Sequence, residues 1–379
     1  KNQLSFSGIY GILRVLFTDT DNKTKQDRTR RMLNDIVKPL TEWYRQNKRS
    51  LPWRDRHNAY YTWVSEIMLQ QTRVEAVKPY FRRFIEELPD PVALAECPEE
   101  KLLKLWEGLG YYNRVRNMQL AAQTVVEEYD GILPASYEKL LSLKGIGSYT
   151  AGAIASIAYD IPVPAVDGNV LRVITRITED DGDIMKQSVK KRIENKLQEI
   201  MPGEYPGDFN QALMELGAVV CVPNGEPKCD VCPVAFCCGA RAHGTIDRFP
   251  VKAQKKDRKL EDRTVLVIQD GENTAIGRRP PRGLLAGLYE LPNLKGHLSE
   301  EKVLETVKAM DLEPLHIEAL PEAKHIFSHI EWRMTAYRVR VSSLEEIRQN
   351  DLLFVGKKQS DDQYAIPSPF SAYTKYIRE

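Results

Sequence analysis

Apolar residues recur at helical spacing through most of the first 240 positions. Met118, Ala121, Ala122, Val125, Val126 and Tyr129 form one such stripe, three and four apart as on one helix face. Comparable segments start near Thr29, Tyr60, Pro98, Ser136, Asp167, Lys186 and Pro206, separated by turn signals such as Leu88-Pro89-Asp90-Pro91 and Asp130-Gly131. The pattern predicts an all-α region. Its period changes after Pro250. Val265–Ile268 is a short apolar run, and Tyr337, Val339 and Val341 alternate with Arg338 and Arg340, so both read as strands. One helical pattern follows Ser299. A separate α+β domain is therefore expected at the C-terminal end. With 379 residues, two domains are the default. The connector VKAQKKDRK is basic and nearly devoid of apolar residues. It reads equally well as a solvated linker and as a strap that touches phosphate.

Composition narrows the class. The chain is 42% hydrophobic and 28% charged, as in an ordinary soluble globular protein. Net charge is only +1, so a phosphate-binding face has to come from local clustering. The apolar stretch Gly8–Phe17 is broken by Arg14 and too short to span a bilayer, and it lacks a signal-peptide cleavage site. These features lead us to expect no membrane association and a cytoplasmic location. Five of the six cysteines crowd into positions 221–238. That density favours metal ligation in a reducing compartment over a disulfide scaffold. Seven residues separate Cys221 from Cys229, two separate Cys229 from Cys232, and five separate Cys232 from Cys238. Soft thiolates at this spacing suit iron–sulfur or zinc, and spacing does not choose between them. Cys97 stands alone and reads as a small buried apolar residue.

The stretch from Leu143 to Val170 carries the most chemistry. Gly145-Ile146-Gly147 precedes a helix rich in small residues, a turn whose backbone N–H groups can approach a phosphate. Asp167 then stands where it can cap the following helix. Together with SEIMLQQTRV, WEGLGYYNRVRN, VDGNVLRV, the cysteine run and FSH near the C-terminus, this segment resembles the MutY family of adenine DNA glycosylases, within the endonuclease III superfamily. The likeness covers residues 30 to 375 or so. It implies an all-α helix-hairpin-helix glycosylase domain at 29–247 and a basic linker at 248–261. A Nudix-like α+β domain follows at 262–379, and residues 1–28 are an extension expected to be disordered or extraneous.

The resemblance also assigns roles. Glu66 protonates adenine, Asp167 is the anion or nucleophile at the sugar, and Tyr149 and Asn169 flank it. By periodicity Glu66 falls off the face formed by Trp63, Val64, Ile67 and Met68 and reads as a surface glutamate. Tyr149 occupies the place where bifunctional relatives carry the imine-forming lysine; tyrosine cannot form an imine, so a monofunctional enzyme is implied. Gln71 and Tyr111 wedge into the base stack with Leu109 beside them. Trp53 and Arg54 line the adenine pocket, Gly145 and Gly147 meet phosphate, and Gln211 is an outer contact. Cys221, Cys229, Cys232 and Cys238 hold a 4Fe–4S cluster, with Cys238 preferred to Cys237 for its spacing. The loop VPNGEPK is one residue longer than the family's usual gap. Phe327, Ser328 and His329 recognise 8-oxoguanine. Gly287–Pro292 matches the start of the Nudix motif, but VLETVKAM breaks its carboxylate pattern, so this domain is expected to read rather than hydrolyse. The implied partner is duplex DNA with A:8-oxoguanine or A:G mispairs, bound by a monomer in a bacterial nucleoid.

Overall fold

The computed structural model describes residues 27, 29–54, 58–253, 257–271, 273–344 and 352–377. Residues 1–26, most of the expected extension, and 254–256 of the connector lie outside the described residues. Down the chain the helices are α1 (Val37–Asn47), α2 (Ala59–Leu69), α3 (Val74–Glu87), α4 (Pro91–Glu96), α5 (Glu99–Leu105), α6 (Asn113–Tyr129), α7 (Tyr137–Ser142), α8 (Ser148–Tyr159), α9 (Gly168–Thr178), α10 (Gln187–Gln198), α11 (Pro206–Val219) and α12 (Gly239–Ala242). After them come β1 (Lys259–Gln269), β2 (Asn273–Arg278), β3 (Tyr289–Glu290), β4 (Asn293–Lys295), α13 (Glu300–Lys308), β5 (Pro314–Ile326), β6 (Ile330–Val341), β7 (Leu352–Gly356) and α14 (Lys357–Gln363). Among the described residues no helix is long and apolar enough to cross a membrane.

The expected starts at Tyr60, Pro98, Ser136, Asp167, Lys186 and Pro206 each fall within one residue of an observed first turn. Capping chemistry explains several: Ser136 accepts from Lys139 N and Asp167 from Val170 N. The Leu88–Pro91 turn is also a helix start. Asp90 accepts from Ala93 N and Pro91 takes the first helical position of α4.

By contacts the chain forms two units. One holds the described residues through Gln70 and those from Glu127 to the connector. The other holds Gln71–Val126 and the residues after the connector. In the first unit α8 packs on α2 and α11, and α11 packs on α1 and α9. Its core runs through Leu40, Tyr44, Val170, Ile174, Phe209, Leu213 and Leu216.

In the second unit a mixed sheet runs β3-β2-β1-β6-β5, with β4 paired to β1 and β7 to β2. β1 and β6 are parallel; the other pairs are antiparallel. Val265 and Val267 face a cluster with Trp332, Phe370 and Tyr373, while Leu266 and Ile268 face Val303 and Val307 of α13. Cover on both faces is why β1 is a continuous apolar run and not an alternating one. Lys104 donates to Ser360 O (3.2 Å) and Tyr364 O (3.0 Å), and Ile366 N donates to Glu107 (2.9 Å). These bonds tie α5 and its end to the C-terminal segment.

Candidate active site

Helix α2 has almost no polar face. Every residue from Thr62 to Met68 is buried, and a helix packed on all sides places its charged residue inside as well. Glu66 is 7% exposed, which corrects the surface position that periodicity suggests. Its carboxylate accepts the phenol hydrogen of Tyr149 at the start of α8. Burial pushes the Glu66 carboxyl up to about 7. The Tyr149 bond and the Arg54 charge pull it down, and the Asp167 charge pushes it up. The Tyr149 phenol stands well above its ordinary range, through burial first and then the charges of Glu66 and Asp167.

Helices α7 and α8 form the expected hairpin. Gly145 takes φ +79°, in the left-handed region that glycine fills freely. Ile146 is buried and anchors the turn. Gly147 precedes α8, and a Cβ there would meet nothing within 4 Å, so the chain itself leaves that helix start open. Helix α8 is buried from Thr150 to Ser156. At Gly152 a Cβ would lie 2.2 Å from Pro164 O, so only glycine lets the helix meet the returning chain. That chain is braced by Asn210, which is fully buried. Asn210 accepts from Ala165 N (3.0 Å) and donates to Val163 O (2.9 Å) and Ser156 Oγ (2.8 Å).

The braced segment delivers Asp167 to the N-terminus of α9. Its Oδ1 accepts from Val170 N and its Oδ2 from Asn169 Nδ2, both at 2.7 Å. Burial raises the Asp167 carboxyl, while the donors at Val170 and Asn169 and the Arg172 charge lower it. Arg172 extends the contacts. Its Nη2 donates to Asn169 Oδ1 and Gly217 O, and its Nε to Cys221 O, each at 2.8 Å. A bonded chain thus runs from Asp167 through Asn169 and Arg172 to the cysteine loop. Arg176, one turn on, donates to Val222 O (3.1 Å) and approaches Cys221 Sγ at 3.3 Å.

Cys221, Cys229, Cys232 and Cys238 line one cavity of about 30 Å³, walled by Val173, Leu216 and Arg176. Cys237 is not on its lining; its thiol points to Val234 O (3.4 Å). Among the described residues no three His, Cys, Asp or Glu gather closely enough to hold a single ion.

The other expected residues fall in several places. Trp53 is 6% exposed. Arg54 donates to Arg49 O (3.2 Å) and Glu215 Oε2 (2.8 Å), and the buried Glu215 also takes Arg49. Gln211 is half-buried, and its neighbour Asn210 is the one that braces the chain. Gln71 and Tyr111 are exposed and share positive φ, +64° and +48°. Leu109, Tyr111, Phe327, Ser328 and His329 line one cavity of about 490 Å³ in the second unit. Phe327 stacks edge-on against Trp332 and His325, with centroids 5.0 and 4.6 Å away. Ser328 Oγ and His329 Nδ1 are 3.1 Å apart at the tip of the β5–β6 hairpin. On α13 Glu305 pairs with Lys302.

Asn210, Arg172 and Glu215 were missed from sequence. Two arginines four apart in the apolar run NVLRVITRI were a usable signal, since both are only 6% exposed.

A buried acid beside a capped aspartate, next to a helical hairpin, is the architecture of base-excision DNA glycosylases. The profile described as HhH-GPD superfamily base excision DNA repair protein matches residues 64–202, and the NUDIX domain profile matches 264–376. The adenine DNA glycosylase of Mus musculus is 36% identical, covering 79% of this chain and 69% of its own length. That of Buchnera aphidicola (subsp. Acyrthosiphon pisum, strain APS) is 32% identical, covering 81% and 87%. A solved thermostable thymine-DNA glycosylase aligns with TM-score 0.50 at 25% identity, covering 57% of this chain and 98% of that one. The chain belongs to the adenine DNA glycosylase family.

Proposed function

We propose that this chain is a monofunctional glycosylase that hydrolyses the bond between adenine and deoxyribose in duplex DNA, where adenine is mispaired with 8-oxoguanine or guanine. The observation that carries the reading is the buried Glu66–Tyr149 pair beside the capped Asp167. Breaking an N-glycosidic bond builds negative charge on the base and positive charge on the sugar. Glu66, with its carboxyl near 7, keeps a transferable proton at neutrality and gives it to the departing base. Asp167, with donors from Val170 and Asn169, carries the compensating anion toward the sugar. Water completes the exchange: its hydroxyl joins the anomeric carbon and its proton stays with the site. Tyr149 supplies no amine, so the strand is left intact.

The further roles follow the family resemblance. Gln71 and Tyr111, with Leu109 beside them, fill the gap left by the extruded adenine. Their left-handed backbone supports this, since such strain collects where a side chain must project. Trp53 and Arg54 wall the base pocket. Arg54 does so while held by Glu215, which keeps its charge near Glu66. Gly145 and Gly147 let the hairpin backbone reach phosphate, and Gln211 is an outer contact. Phe327 anchors the hairpin from which Ser328 and His329 read the lesion base. The domain boundaries at 29–247 and 262–379 and the linker at 248–261 belong to the same reading, as do a monomeric state and a place in the bacterial nucleoid.

Cys221, Cys229, Cys232 and Cys238 suit a 4Fe–4S cluster. All four thiols lie on the lining of one cavity, and four soft thiolates are the ligand set such a cluster takes. Such a cluster would brace the loop that Arg172 and Arg176 tie to α9.

The test uses duplexes pairing adenine, or a damaged pyrimidine, with each candidate opposite base, followed by alkali. Breakage is expected only in the adenine strand opposite 8-oxoguanine or guanine. Breakage at damaged pyrimidines, or breakage without alkali, would overturn the reading.

A further inference from the structure

Tyr111 sits in backbone that few side chains tolerate. Gly108, Gly110 and Tyr111 have φ of +95°, +69° and +48°, and a non-glycine residue stays in that region only where its surroundings over-determine it. Here they do. Trp106 Nε1 donates to Gly110 O (3.1 Å), and Arg114 Nη2 donates to Leu109 O and Gly110 O (3.0 Å each). The same guanidinium carbon lies 5.3 Å from the Trp106 ring centroid and 5.7 Å from that of Tyr111. Trp106 is fully buried, whereas Tyr111 is 49% exposed. The guanidinium thus lies within cation–π range of both an anchored indole and an exposed phenol.

We infer that Arg114 is the positioning residue for the Tyr111 wedge: its Nη2 fixes the turn at 109–111, and its face holds the ring projecting before DNA arrives. The inference rests on the wedge reading of Tyr111. Preorganisation matters because a ring ordered only on encounter loses its freedom at the expense of binding. Lysine cannot substitute. One planar group supplies both carbonyl bonds and the flat face, and an ammonium offers neither together. The competing role for an arginine at this turn is a phosphate contact, which lysine would preserve.

Two measurements on the full chain separate these outcomes. The first places 4-fluorophenylalanine at position 111 and records the ¹⁹F signal without DNA. Arg114→Met and Arg114→Lys are both expected to shift and narrow it as the ring gains freedom, with circular dichroism unchanged. An unchanged signal overturns the inference whatever Tyr111 does on DNA. The second follows the fluorescence of 2-aminopurine placed beside the mispaired adenine, which rises as the base unstacks. Tyr111→Ala, Arg114→Met and Arg114→Lys should each slow the rise by roughly ten- to a hundredfold. The Tyr111→Ala, Arg114→Met double variant should be no slower than Tyr111→Ala alone. Normal unstacking by Tyr111→Ala overturns the wedge reading itself. Slow Tyr111→Ala with normal Arg114→Met overturns the positioning role. Recovery in Arg114→Lys, with a salt slope lowered by about one in Arg114→Met only, assigns Arg114 to phosphate.

Discussion

Replacing Glu66 with glutamine is expected to move activity and stability in opposite directions. In the unfolded chain the carboxyl gives up its proton near 4.5, and in the folded protein only near 7. Between those values the folded state binds more protons than the unfolded one, so stability falls as pH rises through this window and levels off above it. Ionising the buried carboxyl costs the fold about 3 kcal/mol once pH is well above 7. Glutamine never ionises and keeps an oxygen that can accept from Tyr149. Its advantage over glutamate should therefore grow from about 1 kcal/mol at pH 5 to about 3 kcal/mol at pH 8.5, less whatever its new N–H groups lose by burial. For a unit of this size each kcal/mol is worth roughly 2–4 °C, so the gap in melting midpoint should widen by about 4–8 °C across that range.

The assay is a pair of thermal scans, parent and Glu66→Gln, at pH 5 and pH 8.5 and one ionic strength, alongside single-turnover excision. Excision should fall by about 10²–10⁴ as the transferable proton is lost. A midpoint gap that stays constant with pH would mean that Glu66 does not titrate in a buried site. Near-normal excision would remove it from the acid role even if the stability change appears.

Three further outcomes follow from the same geometry. The Tyr149 phenol favours the ionised Glu66, so Tyr149→Phe should raise the Glu66 carboxyl further and move the alkaline limb of the excision profile up by about one pH unit; a limb that stays or moves down refutes this. Cys237→Ala should retain the parent's iron content and visible absorbance and Cys238→Ala should lose them, because only Cys238 lines the shared cavity; equal loss from both would put the assignment of the fourth ligand in error. Ser328→Ala with His329→Ala should cut the preference for adenine opposite 8-oxoguanine over guanine by roughly 1–3 kcal/mol in single-turnover rates at one salt concentration, and an intact preference would place lesion reading elsewhere.

What the sequence could and could not convey follows from the range of each interaction. Helix starts at Ser136 and Asp167 were legible because a cap bonds a backbone three residues away. The cysteine run was legible as a density of one residue type. Burial of Glu66 was not. Periodicity places a residue on a helix face but does not say how many faces are covered, and α2 is covered on nearly all of them. Asn210 and Gln211 are neighbours in sequence, yet only Asn210 turns inward to Ala165 and Val163. The apolar run around the arginines at 172 and 176 hints at their burial but not at their partners, because the carbonyls of Gly217, Cys221 and Phe249 lie more than forty residues on.

The division of labour between the two carboxylates rests on the same distinction. Both are pushed upward by burial, so burial alone cannot make one an acid and the other an anion. Donors separate them. Glu66 has one phenol donor and the Arg54 charge, whereas Asp167 has a backbone N–H, an amide, the N-terminal end of α9 and the Arg172 charge. The donors that make Asp167 a good helix cap are thus the ones that favour its ionised form, and capping and catalysis need not compete for that side chain. Glu66 has no such local support, so its proton depends on residues drawn from α2, α8 and the start of α9, about a hundred positions apart in the chain.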